Sequence, residues 1–293
     1  TFFDDVRTVA PKQFLTFVYT LIMKMKKYSA IWALIILAAC NGNGKDVEVV
    51  DETVKPKPTP VISYSVVAEY PHDTSAYTQG LEFHNGKLYE GTGDYETSSL
   101  RITDYKTGTV EKKHVMGTNK IFGEGITIFK NKIYQLTWED HIVYVYDVNN
   151  IDKPIQTFKW PYAGWGITNN GTDLIISDGT VNLYFVNPDD FRLKSTISVS
   201  DNAGSIDSIN ELEYIDGFVY ANIYQRDEII KIDPNSGHVV GKMDLSGFKQ
   251  KFFANQDIPG RTDVLNGIAY DSATKKFLVT GKRWPKMFEL KFN

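Results

Sequence analysis

The chain has 293 residues, a formal net charge of −4, 13% aromatic residues, one cysteine and five histidines. The small negative charge and the dispersed Lys and Arg exclude a nucleic-acid footprint, which needs a basic stripe. One cysteine excludes a disulfide framework, and His72, His84, His114, His141 and His238 lack metal-ligand spacing, so an apolar core has to supply stability and no metal or cofactor is expected.

Residues 1–22 precede Met23, do not begin with Met, and read as an upstream extension outside the fold. A signal peptide is expected over 23–39: Met23-Lys24-Met25-Lys26-Lys27 is a basic start, 30–37 a short apolar run, and Leu37-Ala38-Ala39-Cys40 a small-residue close. The run is far shorter than the ~20 apolar residues of a membrane span, so it reads as a secretory signal. The Leu-Ala-Ala-Cys tetrad resembles the cleavage box of bacterial lipoproteins, in which the cysteine becomes the lipidated first residue of the mature chain. The expectation is a protein of the bacterial cell envelope, anchored to a membrane through lipidated Cys40; the alternative is an ordinary cleaved signal with an incidental cysteine. Residues 40–60, polar and acidic and ending in Lys55-Pro56-Lys57-Pro58-Thr59-Pro60, read as a disordered tether.

Residues 61–68 alternate like a strand. From there a phrase returns five times: Gln79-Gly80-Leu81-Glu82-Phe83, Glu124-Gly125-Ile126-Thr127-Ile128, Trp165-Gly166-Ile167-Thr168, Asn210-Glu211-Leu212-Glu213-Tyr214 and Asn266-Gly267-Ile268-Ala269-Tyr270. The phrases start 45, 41, 45 and 56 residues apart, a period that belongs to arrays of sheet-like repeats. A second β-rich run follows each (87–91, 132–136, 173–177, 218–222, 276–280), then a third (99–105, 142–148, 182–187, 229–233, 286–292), closed by turn chemistry such as Asn187-Pro188. No long apolar run after residue 60 has helical period. The prediction is an all-β, five-bladed β-propeller over 61–293, about 47 residues per blade, acting as a monomer. Its fifth repeat stops at Asn293 after three strands, leaving an open edge, so 61–68 is expected to supply the outer strand of the last blade and close the ring.

Propellers bind ligands near the axis, where the inner strands converge. The residue before each opening Gly or Glu is Gln79, Glu124, Trp165, Asn210 or Asn266, and the seventh residue of each second run is Gly93, Trp138, Gly179, Tyr224 or Lys282. One carboxylate facing aromatic rings, with amide and ammonium donors nearby, makes a pocket that raises an acid's pKa and stabilises a developing oxyanion. That suits proton-transfer catalysis on a small amide or amine. A lone carboxylate argues against glycoside hydrolysis, which uses two, and against a calcium-dependent hydrolase, which would need several. No phosphate loop precedes a helix and no Ser-His-Asp arrangement is visible.

Seven segments carry a resemblance: Tyr77-Thr78-Gln79-Gly80-Leu81, Phe122-Gly123-Glu124-Gly125, Tyr134-Gln135-Leu136-Thr137-Trp138, Gly164-Trp165-Gly166, Asn210-Glu211-Leu212-Glu213-Tyr214, Asp263-Val264-Leu265-Asn266-Gly267-Ile268-Ala269 and Thr280-Gly281-Lys282-Arg283-Trp284-Pro285-Lys286. In order and spacing over 70–293 the chain resembles the glutamine cyclotransferases of plant and bacterial type. The resemblance implies a five-bladed propeller that converts the N-terminal glutamine of peptides or proteins to pyroglutamate, releasing ammonia without a catalytic metal. It places the general acid/base on Glu124, oxyanion donors on Asn210 and Lys282, and aromatic pocket walls on Trp138 and Trp165, with Gln79 near the substrate. One departure is Asn222-Ile223-Tyr224-Gln225, where the family commonly carries a tryptophan; Tyr224 keeps an aromatic face with a hydroxyl and less area. The alternative reading is a non-catalytic, membrane-tethered propeller that binds peptides or sugars, because fold alone does not decide function.

Overall fold

A computed structural model of the chain describes residues 57–116, 120–253 and 263–293. The expected signal, the anchor Cys40 and most of the expected tether lie outside those residues. Five four-stranded antiparallel sheets follow one another as blades. Blade 1 comprises Thr78–His84, Lys87–Thr92, Ser99–Asp104 and Thr109–Val115; blade 2, Gly123–Phe129, Lys132–Thr137, Ile142–Asp147 and Gln156–Lys159. Blade 3 comprises Ile167–Asn169, Leu174–Ser177, Asn182–Val186 and Leu193–Ser198; blade 4, Ile209–Ile215, Phe218–Ile223, Glu228–Ile232 and Val239–Asp244. Blade 5 contributes Leu265–Asp271, Lys276–Gly281 and Lys286–Phe292.

The turn residues set these hairpins. Asn85-Gly86, Lys130-Asn131 and Asp216-Gly217 join inner to second strands with positive φ at both positions, the two-residue geometry whose twist matches that of the strands. Inner strands are buried almost along their length, whereas the outer strand Thr109–Val115 alternates between half-buried and exposed. Five apolar clusters fill the five clefts between neighbouring blades. The smallest, Leu81, Leu88, Ala269, Leu278 and Met287, lies at the seam between blades 5 and 1.

A buried polar clasp reinforces that seam. His72 bonds Trp284 O through Nδ1 at 2.7 Å and Glu90 Oε1 through Nε2 at 3.0 Å, and the Thr78 hydroxyl donates to the same carboxylate at 2.8 Å. Buried Arg101 donates to Asp73 at 2.8 Å. The His72 imidazole is held above its usual range: Glu90 opposes the desolvation that would lower it, and Glu90 in turn lies below the usual carboxylate range. Both shifts favour the ionised pair, so desolvation here is offset by mutual charge and hydrogen bonding.

The ring closes through Tyr64–Pro71, which pairs antiparallel with Lys286–Phe292 in register from Tyr64 opposite Phe292 to Pro71 opposite Lys286. The closing strand therefore runs three residues later than the expected 61–68. Val61 instead bridges Lys242 in the outer strand of blade 4, and Ile62 N donates to Lys242 O. The segment before it is also docked: Lys242 N donates to Pro60 O at 2.9 Å, Asn202 donates to Lys57 O, and Thr59 is buried. A disordered tether up to residue 60 is thus corrected at its end, because the Pro60 carbonyl takes an edge donor of the outer strand of blade 4 and the Lys57 carbonyl takes the Asn202 amide. The wide spacing before the fifth repeat accommodates one short helix, Phe248–Phe253, whose Phe248 and Phe253 pack on Trp284 and Phe288.

Candidate active site

The axis explains why each opening phrase begins as it does. At the pocket end of four inner strands the ladder slips, between Thr78 and Gly80, Gly123 and Ile126, Ile209 and Leu212, and Leu265 and Ile268. Bulges of this kind re-aim a side chain out of the ladder. Gln79, Glu124, Asn210 and Asn266 are the first residues inside them. The following residue has almost no room: a Cβ on Gly166 would lie 2.1 Å from Asn210 O, and one on Gly80 2.5 Å from Ile126 N. Glycine lets the strands converge there. Blade 4 carries Glu211 in that place, and its carboxylate crosses to accept from Leu81 N at 3.2 Å and Ile268 N at 2.8 Å. Glu82 accepts from Ile128 N and Glu213 from Tyr270 N, each at 2.8 Å. Burial raises all three carboxyls, Glu82 to about 8. The axis thus holds more carboxylates than the repeat alignment indicated, and each accepts from at least one backbone N–H of another inner strand.

Above them opens a cavity of about 260 Å³, lined by Tyr77, Gln79, Phe122, Glu124, Trp138, Trp165, Asn210, Tyr224 and Lys282. Seven of the eight expected pocket residues are here. Asn266 is fully buried behind the wall and is absent from the lining: its amide donates to Thr78 O at 2.9 Å and Gln79 Oε1 at 3.2 Å. It is corrected from a lining residue to a support that orients Gln79, because its amide is taken up by Thr78 and Gln79 of blade 1. A larger groove, about 800 Å³, follows the closing strand and Phe248–Phe252, but it holds no comparable convergence of carboxylate, amide and ammonium.

Glu124 is 4% exposed and Lys282 3%. Desolvation pushes the Glu124 carboxyl well above the usual carboxylate range, with the Lys282 charge pulling it back. Desolvation lowers Lys282 below the usual ammonium range against the attraction of Glu124 and Asp263. The Lys282 ammonium lies between two rings, 4.8 Å from the centroid of Tyr77 and 5.1 Å from that of Tyr224; such contacts strengthen when desolvated. Tyr224 also meets Trp165 edge-on, centroids 5.5 Å apart, so its aromatic face is retained at the position of the departure. Asn210 Oδ1 is buried without a partner among the described residues, as is Asn266 Oδ1 behind the wall.

Sequence reasoning missed Tyr77 and Phe122. Both stand two residues before an aligned pocket residue, Gln79 and Glu124, and that shared offset was the available signal. The other rim positions make room for rings. A Cβ on Gly93 would lie 2.3 Å from the Phe122 ring, and one on Gly179 2.6 Å from Trp165.

Fold and pocket together define a five-bladed propeller with an axial cavity of about 260 Å³, below the ~300–1,000 Å³ of sites for drug-sized ligands. The glutamine cyclotransferase family profile matches residues 34–292. Over 228 residues the chain is 40% identical to the glutaminyl-peptide cyclotransferase of Arabidopsis thaliana, covering 77% of this chain and 70% of that one. The crystal structure of the glutaminyl cyclase of Myxococcus xanthus matches with a TM-score of 0.73 at 32% identity, covering 81% of this chain and 99% of that one. The chain belongs to the glutamine cyclotransferase family of enzymes.

Proposed function

We propose that the protein converts the N-terminal glutamine of peptides or proteins to pyroglutamate with release of ammonia, by metal-independent attack of the substrate's own α-amine on its γ-carboxamide. The observation that carries this reading is the meeting of Glu124, Asn210 and Lys282 in one aromatic cavity of a chain from this family. Amine and amide belong to one residue, so the effective molarity is already high and the pocket has only to fold the side chain back. The amine nitrogen forms a bond to the amide carbon and gives its proton to the Glu124 carboxylate. The carbon–nitrogen bond of the amide then breaks, and Glu124 returns the proton to the departing nitrogen, which leaves as ammonia. Asn210 and Lys282 donate to the oxygen on which charge builds. The raised Glu124 pKa makes it a stronger base than an ordinary carboxylate and a competent acid in the second step. Ammonia release from a Gln-initiated dipeptide tests this reading directly; binding of such peptides with no release supports the non-catalytic propeller.

Lys282 gives the reaction an alkaline limit. Its ammonium is needed protonated, and its pKa is depressed from the ordinary 10.5, so turnover declines as pH rises through that lowered value. A Lys282→Arg variant, whose guanidinium stays charged, is expected to retain activity with this limb displaced to higher pH. Lys282→Ala is expected to lose about 10²–10³ in kcat. The kcat–pH profile of the three proteins checks both.

We infer further that Ala39-Cys40 is the processing point, that Cys40 carries lipid, and that the mature enzyme acts as a monomer on the bacterial envelope. The support is the Leu37 to Cys40 tetrad after a basic start. Labelled fatty acid is expected in the wild-type protein and absent from Cys40→Ser; label retained in Cys40→Ser overturns the anchor.

A further inference from the structure

The aromatic wall does not stop at the cavity. Phe122, in its lining, meets Tyr77 and Trp138 edge-on at 6.0 and 5.9 Å, and on its outer side meets Tyr95 at 5.3 Å between centroids, 73° apart in plane. Tyr95 belongs to the loop between the second and third strands of blade 1 and is 45% exposed. Its loop is held rather than loose. Ser98 N donates to Asp94 O at 2.9 Å, Gly123 N donates to the Ser98 hydroxyl at 2.8 Å, and Arg283 of blade 5 pairs with Asp94 at 2.8 Å. The Gly123 bond ties the Tyr95 loop to the segment that carries both Phe122 and Glu124.

The reaction geometry gives this ledge an occupant. In the ring being closed, the attacking nitrogen lies between the amide carbon, which bears the oxyanion, and the α-carbon, which bears the rest of the peptide. Oxyanion and onward chain therefore diverge on either side of that nitrogen. The oxyanion donors Asn210 and Lys282 come from blades 4 and 5, so the peptide leaves across the opposite side of a five-blade ring. That is blade 2, where Glu124 receives the amine proton and Phe122 stands two residues before it.

We propose that Tyr95 and Phe122 form the subsite for the residue that follows glutamine, and that the enzyme prefers an aromatic or large apolar side chain there. This rests on the cyclotransferase reading and goes beyond it. A side chain laid on Tyr95 gains an edge-to-face or stacked contact on a preorganised ring. An acidic second residue meets Asp140, whose carboxylate accepts from Phe122 N at 3.3 Å, and Asp94, which is paired with Arg283.

The test compares Gln-Phe-amide, Gln-Asp-amide and glutamine amide, which has no second residue. For the wild type, kcat/KM for Gln-Phe-amide is expected about 3- to 10-fold above that for glutamine amide, the worth of one aromatic pair, with Gln-Asp-amide below both. Tyr95→Ala is expected to remove the Gln-Phe advantage through KM while leaving glutamine amide unchanged; Tyr95→Phe keeps it. Turnover of all three substrates with no second-residue preference, or a preference that survives Tyr95→Ala, overturns this inference and leaves the cyclotransferase reading intact. No turnover of any substrate overturns that reading and this inference with it.

Discussion

Replacing Glu124 by glutamine is expected to lower turnover on a Gln-initiated peptide by about 10²–10⁴, the usual worth of a positioned proton-transfer group. The substitution nearly preserves shape, so the cavity and its rings remain. It removes the one lining group able to accept the amine proton and hand it to the leaving nitrogen. Desolvation raises the carboxyl above its ordinary 4.5 and Lys282 pulls it back, so an uncharged amide of the same size removes the proton acceptor without adding a desolvated charge. Folding is therefore spared, and the melting temperature is expected to stay near that of wild type while kcat falls. Folded Glu124→Gln that releases ammonia at the wild-type rate would remove Glu124 from the mechanism.

Deleting the closing strand is expected to abolish folding. A chain that begins at Ser63 keeps Tyr64–Pro71 and is expected to remain folded, whereas one that begins at His72 loses the fourth strand of blade 5. The lost strand turns Tyr64, Val66 and Tyr70 onto the apolar clusters of blade 5. It also carries the Tyr70 bond to Glu289 at 2.6 Å and the Glu69 pair with Lys286 at 2.7 Å. Burying a large apolar side chain stabilises by roughly 1.5–3 kcal/mol, and these are half-buried, so their sum with the ladder reaches several kcal/mol. A domain holds only about 5–15 kcal/mol in total, and Lys286–Phe292 is left with an open edge prone to association. Thermal unfolding and light scattering of the two truncations decide it; equal stability rules out closure as a source of stability.

The inner strands were legible because a repeat period and a two-residue alternation survive in the sequence, and both are consequences of packing one blade on the next. The pocket was legible as far as alignment reaches. It puts Gln79, Glu124, Trp165 and Asn210 in equivalent places, but equivalence in a blade does not fix side-chain direction inside a bulge. Asn266 instead turns into the wall, where its amide donates to Thr78 O and Gln79 Oε1. Tyr77 and Phe122 precede their strands and carry no strand period. Glu211 was read as part of the repeat phrase, and its span to blades 1 and 5 depends on a convergence of backbones that no local pattern records. The docking of Lys57 to Ile62 escaped for the opposite reason: proline-rich composition signals extended backbone but is silent on what that backbone accepts.

The closure also sets an order of events in time. Tyr64 and its partner Phe292 are 228 residues apart, so the first strand of the propeller to be synthesised is the last to find its ladder. At about 5–20 residues per second, the strand waits roughly 10–45 s for Lys286–Phe292 to be made. Four blades can assemble during that interval, while Tyr64, Val66 and Tyr70 have nothing of blade 5 to pack against. Until then the alternating segment is an unpaired strand in a growing chain, open to a wrong edge or a second copy. Joining Asn293 to Ser63, already hydrogen-bonded neighbours at 2.9 Å, and opening the chain between blades instead would place both partners together in sequence. That permutant is expected to reach the closed ring faster on refolding, with the same pocket.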